Sequence, residues 1–311
     1  MRISFAELTE QGNYMYWREA DISSIRSVYT LLPERVRKKS LFRIVSDMYG
    51  CGDSAENRKT IYQHIKVSCK LLGNFSISCG EKCLIESDFK TRKVSGILKY
   101  LLTLDKGSVV PRERIAAVFW PDADNKSAFA SLRVALYELR KTLAMTDMSF
   151  ESENALLIEK KEGFTVNPNI MIEKDTDKLE KLYEEYRTSL KDANGEKKRK
   201  RVLEAICKIY DGEFLQGEFY DDWATVLREH YSSMYFEALY RFAQELIADD
   251  RFLCAEKQLM KGLKFEPLDE ECCKLLVETY NKSGQKDRAD HFLKKFSKHY
   301  MEEMGVELLL K

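Results

Sequence analysis

The residues of this chain with the clearest chemical potential lie along residues 125–143, NKSAFASLRVALYELRKTL. Placed about 100° apart on a helix, Lys126, Ala130, Arg133, Val134, Tyr137 and Lys141 share one face. Ala128, Leu132, Ala135, Leu136, Leu139 and Leu143 share the other. The second face is a core face. The first lacks the alternating Glu and Lys of an ordinary solvated helix and instead joins cations, a phenolic hydroxyl and a small residue. Such a surface suits close approach to a polyanion. Arg133 and Tyr137 sit mid-face, where their donors can reach base edges; Lys126 and Lys141, at the ends, suit phosphates, and Arg140 stands at the margin. Pro121, Asp122, Asp124 and Asn125 supply the turn and cap that start the helix.

Other elements must hold this face in place. Upstream, Val94, Ile97, Leu98, Leu101 and Leu102 predict a helix over 91–104 that opens on Arg92 and Lys93. After the loop DKGSVV, Pro111 is expected in the first turn of a second helix, PRERIAAVFW, which opens on Arg112 and Arg114. Helix starts with cations on them favour phosphate, because free backbone N–H groups and the helix dipole add to the side-chain charge. Trp120 reads as a core anchor after that helix. KVSCKLLGNFSIS, from Lys66, nearly alternates apolar and polar residues around a Gly73-Asn74 turn, and Leu84-Ile85 offers another short strand. Downstream, Leu156 to Ile158 and Phe164 to Val166 are strand segments joined by Glu159-Lys160-Lys161-Glu162-Gly163, a hairpin with Lys160 and Lys161 near its tip. Strands, three helices and a hairpin make a winged helix-turn-helix with a leading sheet.

Composition sets the frame. The 311 residues suffice for two domains; 44% are hydrophobic and 33% charged, and only 5 Pro and 14 Gly argue for a helix-rich protein. Net charge is zero, so affinity for a polyanion has to come from a local patch. One exists: from Lys90 to Lys141, eleven Lys and Arg (Lys99 among them) face five acids. The start, MRISFAELTEQG, has no apolar core of a signal peptide, and no uninterrupted apolar run reaches membrane-spanning length, which predicts a cytoplasmic protein with reduced thiols. Cys69, Cys79 and Cys83 lack a second ligand pair and read as small buried residues; of Cys272 and Cys273, at most one should face the core. Without a phosphate-binding G-x-x-x-x-G-K-[ST], G-x-G-x-x-G or H-E-x-x-H, and with four unpartnered His, no enzyme, cofactor or metal is expected.

From about Asp175 the chain reads as helices at 176–190, 198–210, 221–248, 252–265, 269–283 and 286–304. Ala255 matches Ala289, Leu259 matches Leu293 and Leu246 matches Tyr280, all at the 34-residue period of tetratricopeptide repeats. The charge run from Glu196 to Arg201 is read as a solvated helix start rather than a second nucleic-acid contact, and Trp223 as a packing residue. Residues 23–29, 41–49 and 59–65 suggest short helices in an extension of unknown role.

These motifs in this order resemble the SARP-type regulators, which join an OmpR-type winged helix to a bacterial transcriptional activator domain. The resemblance rests on KTRKVSGILKYLLTLDKGSVVPRERIAAVFWPDAD, SAFASLRVALYELRKTL, DGEFLQGEFYDDWATVLREHY, FEPLDEECCKLLVETYNKSGQKDRADHFLKKF and the closing EEMGVEL. It implies a mainly α protein: an extension over 1–64, a winged helix-turn-helix with small β-sheet and wing hairpin over 65–172, and an all-α tetratricopeptide-like domain over 173–311. It also implies sequence-specific binding of double-stranded DNA and transcriptional activation, with RNA polymerase and a second copy of the chain as candidate partners. The competing expectation is a protein-interaction scaffold whose winged helix no longer binds DNA.

Overall fold

The structure is a computed structural model that describes residues 66–80, 82–146, 148, 155–190, 195–217 and 222–308. The three short helices expected before residue 66 lie outside the described residues. The chain divides into two compact units, Met1–Ser68 with Ile77–Ile172 and Cys69–Ser76 with Glu173–Lys311.

Strands β1 (Lys66–Lys70), β2 (Ser76–Cys79) and β3 (Lys82–Ile85) come first, and with β7 (Met171–Lys174) they form a sheet of order β3-β2-β1-β7. The four residues of β7, MIEK, carry too short an apolar pattern to be read as a strand in advance. Helices α1 (Arg92–Thr103), α2 (Arg112–Phe119) and α3 (Asn125–Leu143) follow. The wing is β5 (Leu157–Lys160) and β6 (Gly163–Val166), and β6 also pairs antiparallel with the two-residue β4 (Val110–Pro111). Pro111 therefore differs from its expected place. It closes β4, in register with Gly163, and is the N-cap of α2 rather than part of its first turn.

Helix α3 begins where its cap residues dictate. The Asp124 carboxylate accepts from the backbone N–H of Lys126 (2.9 Å) and Ser127 (3.1 Å) and from Ser127 Oγ (2.5 Å), and these bonds from Ser127 hold it below the usual carboxylate range. Ala128, Leu132, Ala135, Leu136, Leu139 and Leu143 are all buried, as the periodicity requires, and α3 packs on α1 and α2. Helix α1 is buried from Val94 through Leu102, on every side. Lys99 is consequently no surface cation. It is 2% exposed, and its Nζ lies 2.5 Å from Glu86 Oε2.

The second unit contains α4 (Asp175–Ser189), α5 (Glu196–Ile209), α6 (Asp222–Ala248), α7 (Phe252–Phe265), α8 (Glu270–Lys282) and α9 (Lys286–Met304), each packed on the next. The small residues of the 34-residue period, Ala255 and Ala289, are buried at 0% and 1% exposure, which lets consecutive helices approach. Gly262 serves the same end: a Cβ there would meet Leu239 Cδ2 at 2.5 Å and Cys272 Sγ at 2.9 Å. Cys272 and Cys273 both reach 0% exposure, against the expectation of one. Helix α8 packs on α6, α7 and α9, so two adjacent positions both meet core. Lys261 donates to the carbonyls of Cys207 (2.8 Å) and Tyr210 (2.6 Å), satisfying the C-terminal end of α5.

The start of α4 is tied down by Asp175, which accepts from the backbone N–H groups of Leu71 (2.8 Å), Leu72 (2.9 Å) and Thr176 (2.9 Å). Burial pushes this carboxyl up despite those bonds. Asp175→Asn keeps the volume but replaces one acceptor oxygen with a donor that faces other donors. We expect a loss of about 2 kcal/mol, read by denaturant unfolding together with faster amide exchange at Leu71 and Leu72. Exchange unchanged at both amides would contradict the anchoring role.

Candidate nucleic-acid interface

The outer face of α3 is open to solvent. Lys126, Ala130, Arg133 and Lys141 are exposed, and Val134 and Tyr137 keep 61% and 64% of their surface accessible. Two large apolar or aromatic side chains thus stand exposed beside cations on one helix face. Arg92 and Arg114 are exposed at the starts of α1 and α2, and Lys160 and Lys161 on the wing. None of Arg92, Arg114, Lys126, Arg133, Lys141, Lys160 and Lys161 has an ion-pair partner among the described residues. Lys161 and Glu162 form the two-residue loop between the paired Lys160 and Gly163, so one wing lysine sits in the strand and one in the loop.

Several other cations of the patch are engaged inside the molecule. Lys93 donates to the carbonyl of Phe119 (2.6 Å), the last residue of α2, and lies 5.1 Å from the ring centre of Trp120. It thereby caps α2 favourably for the helix dipole. Trp120 is half-buried and flanks a surface groove, so it is less enclosed than the core anchor expected. Lys90 reaches Glu138 (2.6 Å) on α3, and its hydrogen bond holds that carboxyl below the usual range. Arg112 and Arg140, from α2 and α3, share one acid, Glu159 of β5. Sequence counting gives every Lys and Arg equal weight. It could not distinguish these side chains, or buried Lys99, from the open ones.

Between the start of α1 and the outer face of α3 runs a groove of about 690 Å³, flanked by Arg92, Lys93, Trp120, Ala130, Val134 and Glu138. Its rim carries cations and its floor is mostly apolar. In the second unit two cations of the basic run are paired: Arg199 with Glu245 (2.7 Å), and Lys200 with Asp249 (2.8 Å) and Glu196 (3.0 Å). This agrees with a solvated helix start. Among the described residues no group of His, Cys, Asp and Glu is placed to hold a metal ion, and no helix is long and apolar enough to cross a membrane.

Three helices with a β hairpin at their side define the first unit as a winged helix, and the second is a helical-repeat domain. Residues 174–309 match the bacterial transcriptional activator domain. That match makes the second unit a bacterial transcriptional activator domain, and with a winged helix ahead of it the arrangement is similar to that of the SARP-type regulators. Among solved structures it is similar to Mycobacterium tuberculosis EmbR in complex with low affinity phosphopeptide. The identity is 16% and the TM-score 0.55, over 78% of this chain and 62% of that one. The chain thus spans less than two thirds of EmbR's length, and the likeness is one of fold. No curated protein matches the chain.

Proposed function

We propose that this regulator binds duplex DNA in a sequence-specific manner and activates transcription in the cytoplasm, with 65–172 as DNA-binding domain and 173–311 as the domain that meets a partner. The extension 1–64 is left without a role. The observation that carries the reading is the exposed Arg133–Val134–Tyr137 face of α3, on a module whose exposed cations Arg92, Arg114, Lys126, Lys141, Lys160 and Lys161 have no ion-pair partner among the described residues. Helix α3 enters the major groove; Arg133 and Tyr137 reach base edges, while Ala130 and Val134 lie against bases or thymine methyls. Arg92, Arg114, Lys126 and Lys141 contact phosphates, and Lys160 and Lys161 on the wing engage the next minor groove or its backbone. RNA polymerase and a second copy of the chain are the partners proposed for the helical domain.

Selection of bound sites from random duplexes, repeated over a range of salt, tests this reading. Recovery of one sequence class is expected, with affinity that falls steeply as salt rises. No binding to any duplex at low salt would favour the scaffold reading, for which the apolar floor of the groove beside Trp120 is the supporting observation. Two substitutions separate the contact types. Lys141→Ala should weaken all sequences alike and flatten the salt slope by about one. Arg133→Ala should cost about 1–3 kcal/mol on the selected site and relax preference at one base pair. Uniform weakening by Arg133→Ala would remove its base-reading role.

A further inference from the structure

The two arginines that share Glu159 come from different helices, while the acid belongs to the wing. Arg112, at the start of α2, donates from Nη2 to Glu159 Oε1 (2.8 Å) and from Nη1 to the carbonyl of Lys161 (3.1 Å). Its guanidinium also lies 5.4 Å from the ring centre of Phe164 on β6. Arg140, in the last turn of α3, bonds the other carboxylate oxygen of Glu159. One arginine therefore grips the wing at three points: a strand carboxylate, the loop carbonyl and an aromatic ring. The hydrogen bond from Arg112, with the charge of Arg140, holds the Glu159 carboxyl below the usual range, so it stays ionised at neutral pH.

We infer that Glu159 is the brace of the wing: it fixes the hairpin to α2 and α3 through Arg112 and Arg140, so these two arginines position Lys160 and Lys161 rather than contact phosphate. This rests on the DNA-binding reading above. A guanidinium bonded to a carboxylate has much of its charge offset by the acid and its plane fixed toward the wing, which weakens what it offers a phosphate. The hairpin gains in return. Among the described residues its strand pairing to the rest of the module runs through the two-residue β4, and a two-stranded hairpin is marginal without further support. A loop lysine contributes to DNA affinity only when the loop is held where the phosphate will be, since an unheld wing loses freedom on binding.

The test uses the full chain and a mixed-sequence DNA duplex, with association constants measured across salt concentrations. Glu159→Gln should weaken binding and flatten the salt slope by about 0.9, the phosphate contact that Lys161 makes only while the wing is held. Arg112→Ala should do the same. If Arg112 were itself a phosphate contact, Arg112→Ala would flatten the slope by about 0.9 in a Lys161→Ala background, where the brace predicts no further change. If Glu159 only masked two such contacts, Glu159→Gln would tighten binding and steepen the slope; either result overturns the brace. A purely structural role is separated by the wing lysine. Lys161→Ala should flatten the slope by about 0.9 in the wild type and leave it unchanged in the Glu159→Gln background. An equal effect of Lys161→Ala in both backgrounds would also overturn the proposal. Should the wild type bind no duplex at any salt, the DNA reading itself fails. The brace is then judged from amide exchange of residues 157–166, which Glu159→Gln should accelerate, and unchanged exchange would refute it.

Discussion

Glu86→Gln should destabilise the winged helix by about 3–5 kcal/mol, although Glu86 is itself 41% exposed. The cost falls on its partner. Lys99 is 2% exposed within a helix buried on every side, and its ammonium lies 2.5 Å from the carboxylate. Removing the negative charge takes the carboxylate from a cation that water does not reach, and breaking a buried pair on one side costs far more than the pair contributes when intact. The glutamine keeps the side-chain volume and an oxygen for Ser95 Oγ, which now bonds Glu86 Oε1 at 2.5 Å, so any large loss is assigned to charge. Lys99→Met supplies the complement. It fills the same space with apolar atoms and leaves Glu86 partly hydrated, so Lys99→Met combined with Glu86→Gln should recover most of the stability lost in Glu86→Gln alone. The chain has two units, so a single melting point mixes them; amide exchange of 92–103 reads the winged helix by itself. A loss below about 1 kcal/mol for Glu86→Gln, or a double variant no better than the single one, would contradict the account.

Lys99 also marks the limit of what could be read in advance. The stripe Val94, Ile97, Leu98, Leu101 and Leu102 fixes α1 as a helix, but periodicity assigns a helix one buried face, and α1 is buried on all of them. A lysine between stripes then reads as solvated. Helix α3 carries its own boundaries, a capping Asp124 and a clean apolar face, and its expected span matches residue for residue. The 34-residue period was equally legible, because small residues at helix crossings are a local signal. The non-local features were not: the two-residue β4 exists only because β6 lies beside it, and Cys273 is buried because α9 covers it. The candidate site divides in the same way. The open face of α3 follows from spacing within one helix. The engagement of Arg112 and Arg140 by Glu159 depends on side chains 47 and 19 residues away, which no pattern along the chain relates.

Gly163→Ala should disrupt the wing outright, at a cost of about 3 kcal/mol or more. A Cβ at this position would stand 1.9 Å from the carbonyl oxygen of Val110, 2.6 Å from its carbonyl carbon and 2.9 Å from Pro111 Cα. All three are backbone atoms, so no rotamer change relieves the overlap; β4 and β6 have to part. Their pairing joins the hairpin to the segment that leads into α2, with Pro111 opposite Gly163 and Val110 opposite Phe164. Amide exchange should therefore accelerate through 163–166 and at Val110, and thermal unfolding of the winged helix should begin earlier. Gly107→Ala is the control. That glycine also has positive φ, +85°, but its Cβ would meet only Pro168 Cβ, at 3.7 Å, so the expected cost is the ordinary one of about 1 kcal/mol for a left-handed alanine. If the two variants behave alike, backbone conformation and not the approach of β4 accounts for Gly163. The comparison also bears on the wing's part in DNA binding. Glu159→Gln loosens the hairpin while leaving β4–β6 intact, whereas Gly163→Ala breaks that pairing and leaves the acid in place. Both should remove the contribution of Lys161 to the salt slope, by unrelated routes, and that convergence would tie the lysine's effect to wing position rather than to either residue's own charge or size.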